Sequence, residues 1–183
     1  DQRIDVVNCS TLRNDIEVFR FQENHDKAFG GTDATIERVV LLDSDRSPLS
    51  WVVGGEKTVI RIEAHARVPL NRPIFGFMLR DRLGQNIFGD NSYLSHAESN
   101  VAVEAGERVV GEFEFFMPWL AQGDYVIQVA LADGTQQEHR QVHWIHDAVV
   151  LRAHHDAIAT GLIGIPMIDI RISVDNVPEV AAA

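Results

Sequence analysis

The side chains best suited to metal chemistry fall in two short runs, HWIHD at 143–147 and HHD at 154–156. They supply His143, His146 and Asp147, then His154, His155 and Asp156, the imidazole and carboxylate donors that zinc takes. Their spacing works against a compact site, because residues three apart on a strand point to opposite sides. No metal is expected. Ser92, Ser95 and Ser99 surround His96 and Glu98 in DNSYLSHAESN. That stretch lacks the strand-to-helix elbow that exposes a nucleophilic serine, and a triad is defined by geometry this spacing does not specify. GGEKT (Gly54 to Thr58) has neither the spacing nor the context of a phosphate loop. Asp81, Asp90, Asp124 and Asp133 sit at strand ends, where Asp serves turns, so no acid–base pair is defined. No catalytic residue and no cofactor is expected.

The elements that would position these residues are strands. Six runs with β patterning recur at short intervals after residue 32: ATIERVVLLD, TVIRIEAHARV, IFGFMLRD, ERVVGEFEFFM, DYVIQVAL and RQVHWIHDAVVLRA. This cadence predicts an all-β fold, an antiparallel sandwich. Gly54-Gly55 and Asp133-Gly134 read as hairpin turns, and MPWLAQG as a short helical turn opened by Pro118 and closed by Gly123. Period two places Ile60, Ile62 and Ala64 opposite Arg61, Glu63 and His65, and Phe113 and Phe115 opposite Glu112 and Glu114. Phe75, Phe77 and Leu79 share a face, leaving Gly76, Met78 and Arg80 on its reverse. Tyr125 in GDYVIQV resembles the corner tyrosine of immunoglobulin-like sandwiches. With Tyr125, Ile127, Val129 and Leu131 inside, Val126, Gln128 and Ala130 face out.

The expected organisation is a linker at 1–32, in which only DIEVFRF alternates, a β-sandwich domain at 33–174 and a tail at 175–183. Within the domain, GLIGIPMIDIRISV ends in a late strand (Ile165 to Ser173) carried on a polar spacer. Such a strand returns to its own sheet or crosses to a partner's, a route to dimers.

Composition limits the partners. Sixteen Lys and Arg against 27 Asp and Glu give a net charge of −11, which repels nucleic acid and acidic bilayers. Cys9 stands alone, so no intrachain disulfide framework exists, as in a reducing, cytoplasmic setting. No apolar run reaches the ~20 residues of a membrane span, and the absence of an initial Met is expected of a fragment or processed product. What remains is surface binding. Sugar recognition combines an aromatic plate with planar hydrogen-bonding side chains, and Trp51, Trp119 and Trp144 are available as plates.

FGGTDATIERVVLLD, IFGFMLRDRLGQNIFGDN, VEAGERVVGEFEFFMPWLAQGDYVIQVALADG and VHWIHDAVVLRA, taken in order over Phe29 to Ser173, resemble the C-terminal carbohydrate-binding domain of Wzt-type subunits of O-antigen polysaccharide ABC transporters. The resemblance implies an immunoglobulin-like sandwich, a homodimer with an exchanged C-terminal strand, and non-catalytic recognition of the non-reducing end of a lipid-linked O-antigen, here a polymannan with a modified terminus. It further implies an N-terminal ATPase domain and a membrane subunit as partners, and a cytoplasmic position at the inner face of the inner membrane. Gly76, Asp81, Gly84, Gly111, Pro118, Gly123, Tyr125 and Asp133-Gly134 carry over as structural positions, without a ligand set. Read from the outward face, the carbohydrate-binding candidates are Arg80, Gln128, His143 and Asp147 as hydrogen-bonding groups and Trp144 and Trp119 as stacking surfaces. A bulge would reverse that face assignment. An adaptor domain binding a protein strand, or a glycan-modifying enzyme, are the alternative readings.

Overall fold

A computed structural model describes residues 13–19, 28–96, 101–154, 161–165 and 171–172. The strands are β1 (Asp15–Phe19), β2 (Ala28–Gly30), β3 (Ala34–Leu42), β4 (Trp51–Val53), β5 (Lys57–Ala66) and β6 (Pro73–Asp81). They continue with β7 (Asn86–Asn91), β8 (Arg108–Phe116), β9 (Trp119–Leu120), β10 (Gly123–Gly134), β11 (His139–Ala153) and β12 (Ile163–Gly164). Every pairing is antiparallel. Seven strands form one curled sheet in the order β4-β1-β11-β10-β6-β7, with β2 also on β11; β3-β5-β8 form a second sheet and β9-β12 a third. The domain is therefore all-β.

The core follows from period two. Phe75, Phe77 and Leu79 of β6, Tyr125, Ile127, Val129 and Leu131 of β10, and Ile60, Ile62 and Ala64 of β5 are all buried in one cluster, with Phe113 and Phe115 packed against it. Phe77 joins the two larger sheets directly, at 4.9 Å from the Phe113 ring and 5.7 Å from that of Phe115. Tyr125 closes its corner by donating its hydroxyl to the Ala121 carbonyl at 2.8 Å, as the GDYVIQV pattern predicts.

Three local expectations are corrected. Gly54-Gly55, with Gly55 at φ 91°, does turn the chain, but β4 belongs to the large sheet and β5 to the small one. The turn thus crosses between sheets and makes no hairpin. Residues 117–123 contain the short strand β9 and no helical turn. Asn14 dictates this: its Oδ1 accepts from the Leu120 N–H (2.9 Å) and its Nδ2 donates to the Leu120 carbonyl (2.8 Å), which holds Leu120 extended. Finally, the alternating part of the 1–32 segment is built into the large sheet as β1, between β4 and β11, with Ile16 fully buried. The expected antiparallel β10–β11 hairpin forms, but its turn lies at residues 135–138, and Asp133 and Gly134 are the last paired residues of β10, opposite Arg140 and His139. The late strand at Ile165 to Ser173 falls mostly outside the described residues.

Candidate functional site

Strand register assembles one continuous surface on the outer face of the large sheet. Reading across strands, Phe29 of β2 pairs with Trp144 of β11, Trp144 with Ala130 of β10, Ala130 with Gly76 of β6, and Gly76 with Asn91 of β7. Between Trp144 and Asn91 lie three strand spacings, about 14 Å. The next row holds Gln128, Met78 and Gly89, and the row after it Val126 and Arg80. An aromatic pair therefore stands at one side of a floor made of Ala130 and Gly76, while in the next row the Met78 side chain lies over Gly89, its Sδ 2.9 Å from where a Cβ there would stand. A trough results because the side chains of that floor are small or missing. Gly76 is not backbone-constrained: a Cβ there would meet Asn91 Cβ at 3.5 Å and the Asp90 carbonyl at 3.6 Å, ordinary contacts.

Arg80 and Gln128 come together as a polar unit. Arg80 Nη1 donates to Gln128 Oε1 at 3.2 Å, and Arg80 Nε donates to the Gly84 carbonyl at 3.2 Å. The second bond depends on the tight turn at Asp81, whose Oδ1 accepts from the Leu83 and Gln85 N–H groups, each at 2.8 Å, and on Gly84 at φ 80°, where glycine is unstrained. Trp144 is half-buried, and its indole N–H is buried without an acceptor among the described residues. Whatever ring surface it offers outward is thus carbon, suited to a sugar C–H face. His146 lies beside it, ring to ring at 5.7 Å.

The other candidates separate from this unit. His143 is corrected: it is 4% exposed, and its Nδ1 accepts from the Ile36 N–H of β3 at 2.9 Å. Neighbours on a strand face opposite ways, so with Trp144 outside His143 must turn in, where it staples β11 to β3. Trp119 is also displaced. It pairs with Gly164 and packs against Gly54, where any Cβ would overlap its ring. Its segment precedes the start of β10, roughly 23 Å along that strand from Ala130. Asp147 lies at the rim: between Ile127/Val149 and Val129/Ile145 the ladder shifts, so an exposed bulge at 146–147 lies opposite Gln128. Period-two reasoning missed Phe29, 69% exposed, because a lone aromatic before two glycines carries no periodicity.

The outer face of the small sheet is different in kind. Arg61 pairs with Glu63 (2.9 Å) and Glu112 (2.7 Å), Arg46 with Glu112 (2.9 Å), and Lys57 with Glu114 (2.8 Å). These charges satisfy one another. Hydrogen bonds to Glu63 and Glu112 raise the Arg61 pKa, and the bond from Lys57 lowers that of Glu114. Among the described residues no three His, Cys, Asp or Glu converge as a metal site. His154 contacts Glu17 at 3.3 Å, while His155, Asp156, Glu98 and Ser99 lie outside the described residues. Ser92 Oγ accepts from the Phe75 N–H at 3.1 Å, a structural use. No described helix is long and apolar enough to cross a membrane.

Comparison with known proteins agrees with this architecture. The family model described as Wzt C-terminal domain matches residues 25–165. Among solved structures, the crystal structure of the C-terminal domain of wzt superposes with a TM-score of 0.68 at 17% identity, covering 84% of this chain and 91% of that one. No curated protein matches the chain.

Proposed function

Since the chain belongs to the Wzt C-terminal domain family, non-catalytic carbohydrate-binding modules associated with polysaccharide export, we propose that its outer sheet face recognises the non-reducing end of a lipid-linked O-antigen polysaccharide. The carrying observation is the row Phe29, Trp144, Ala130, Gly76 and Asn91, with the Arg80–Gln128 unit beside it. Aromatic carbon, a small-residue floor and fixed planar hydrogen-bonding groups are what a pyranose needs on its apolar face and at its hydroxyls. The binding residues in this reading are Trp144, Gln128 and Arg80, with Phe29 added and Asp147 at the rim. The glycan is a polymannan carrying a modified terminus, presented for export beside the ATPase domain and membrane subunit of an ABC transporter at the cytoplasmic face of the inner membrane. Titration with the cognate O-polysaccharide should shift the Trp144 indole resonance while an unrelated polysaccharide leaves it in place; indifference to both would remove glycan recognition.

A second observation favours an immunoglobulin-like sandwich completed by strand exchange in a homodimer. Between β7 and β8 lies a cleft of about 880 Å³ lined by Phe77, Phe88, Phe113, Phe115, Ile163 and Ile165. Beyond β5, β8 has no other strand neighbour among the described residues. Ile165 and Ile172 are 67% and 95% exposed in the single chain, apolar surface that a second copy would cover. Truncation before Gly161 should convert the dimer to a monomer in sedimentation; an unchanged dimer rejects exchange as its cause.

A further inference from the structure

We propose, resting on the reading that the outer sheet face holds a glycan, that Arg67 is a positioning residue for that face: its guanidinium clamps β2 onto β11 and so sets Phe29 against Trp144. Little else holds β2. The strand has three residues, all exposed, and among the described residues its one strand neighbour is β11. Phe29 is itself 69% exposed, so its ring buries too little apolar surface to fix its own place. A short, exposed segment with few buried contacts opens easily unless something outside it holds it.

The hold lies at Gly31, which is buried. Its N–H donates to the Val142 carbonyl of β11 at 2.8 Å, and its carbonyl accepts from Arg67 Nη1 at 2.7 Å and from Thr35 Oγ1 at 2.9 Å. Both lone pairs of that oxygen are thereby used, one of them by a charged donor, which bonds about twice as strongly as a neutral one. Two glycines permit the close approach. At Gly30 (φ 85°) a Cβ would overlap the Val142 carbonyl oxygen, and at Gly31 (φ 90°) it would stand 3.0 Å from the His143 ring. The backbone aims Arg67 at this point: the Arg67 and Val68 N–H groups both donate to the Asp33 carbonyl, at 2.7 and 3.1 Å, and the Asp33 carboxylate pairs with Arg140 of β11. Arg67 directly follows β5, so the clamp ties the aromatic row of the large sheet to one end of the small sheet.

The test uses the full chain, first without ligand and then with a polymannan O-polysaccharide bearing a modified terminus. Without ligand, Arg67→Met should speed hydrogen exchange at the Gly31 amide and weaken the cross-strand nuclear Overhauser effects between Phe29 and Trp144, while the urea midpoint moves little. With β2 then docked about one fifth of the time, the apparent dissociation constant for the polysaccharide rises about fivefold. Arg67→Lys, which keeps a charged donor, should recover part of the loss, Gly30→Ala should reproduce it, and Arg108→Gln on the small sheet should leave affinity unchanged. The decisive arm is a double-mutant cycle. Because Arg67 acts through Phe29, the double variant Phe29→Ala/Arg67→Met should bind as weakly as Phe29→Ala and no more weakly. Losses that simply add would overturn the proposal, as would unchanged Phe29–Trp144 contacts or unchanged affinity in Arg67→Met. Failure of the polysaccharide to move the Trp144 indole in the unmodified chain would overturn the glycan reading on which the proposal rests, and the ligand-free exchange at Gly31 tells that failure from a failure of the clamp.

Discussion

Replacing Gly76 with valine should strengthen the fold and weaken ligand binding, two effects of opposite sign from one side chain. Gly76 sits mid-strand in β6, and a Cβ there would make ordinary van der Waals contacts, at 3.5 Å to Asn91 Cβ and 3.6 Å to the Asp90 carbonyl, without overlap. A glycine in a strand interior costs roughly 0.5–1 kcal/mol relative to alanine, and a β-branched residue fits the pleated surface better. Stability should therefore rise by up to about 1 kcal/mol. With a urea slope of about 1–3 kcal/mol/M, the unfolding midpoint moves up by about 0.3–1 M. The same isopropyl group stands on the trough floor between Ala130 and Asn91 and lifts a pyranose off it. Loss of the flat contact should cost at least about 1.4 kcal/mol, tenfold in affinity. Urea melts and glycan titration on one protein preparation measure both. Gly89→Ala is the counterpart, because a Cβ there would overlap the Phe77 carbonyl and crowd Met78, so it should destabilise. If Gly76→Val lowers the midpoint, or binds glycan as the unmodified chain does, the trough is not the site.

Asn14→Ala strips both backbone groups of the fully buried Leu120 of their side-chain partner. At about 1–3 kcal/mol per unsatisfied group the loss is about 2–6 kcal/mol by urea denaturation; a change below about 0.5 kcal/mol would mean β9 is held otherwise. Gly111→Ala forces a Cβ to 2.5–2.8 Å from the Phe75 side chain and should cost about 1–3 kcal/mol by overpacking, read as a lowered melting midpoint. Burial, then the charge of Asp81, raise the Tyr125 pKa above 10. The unfolded chain ionises this tyrosine at about its ordinary 10 and the folded chain only higher, so its contribution is intact below pH 10 and lost as pH rises through the folded value. Tyr125→Phe should flatten that alkaline decline while losing about 1 kcal/mol at neutral pH with the Ala121 bond; identical alkaline slopes would refute the assignment.

The inward residues of β5, β6, β8 and β10 were legible from sequence because a strand's side chains alternate, and burying one face of each segment leaves one solution. Tyr125 was legible for a similar local reason, a tyrosine two residues after a glycine at a strand start. The absence of phosphate-loop and elbow patterns was also a property of local spacing. What spacing could not encode was which strands become neighbours. Gly54-Gly55 looks like a hairpin whether β4 and β5 pair or part, and β9 is extended because Asn14, 106 positions away in the chain, holds both hydrogen-bonding groups of Leu120.

The site divides the same way. Sequence alone put Gln128 and Arg80 on outward faces and offered Trp144 as an aromatic plate. Tertiary structure alone set Phe29 against Trp144, turned His143 inward to accept the Ile36 N–H, sent Trp119 to Gly54, and joined Arg80 to Gln128 across β6 and β10. Alternation is a local consequence of backbone geometry, so it can be read one segment at a time. Lateral register depends on bulges and on contacts between residues distant in the chain, and it decides which outward side chains share a surface.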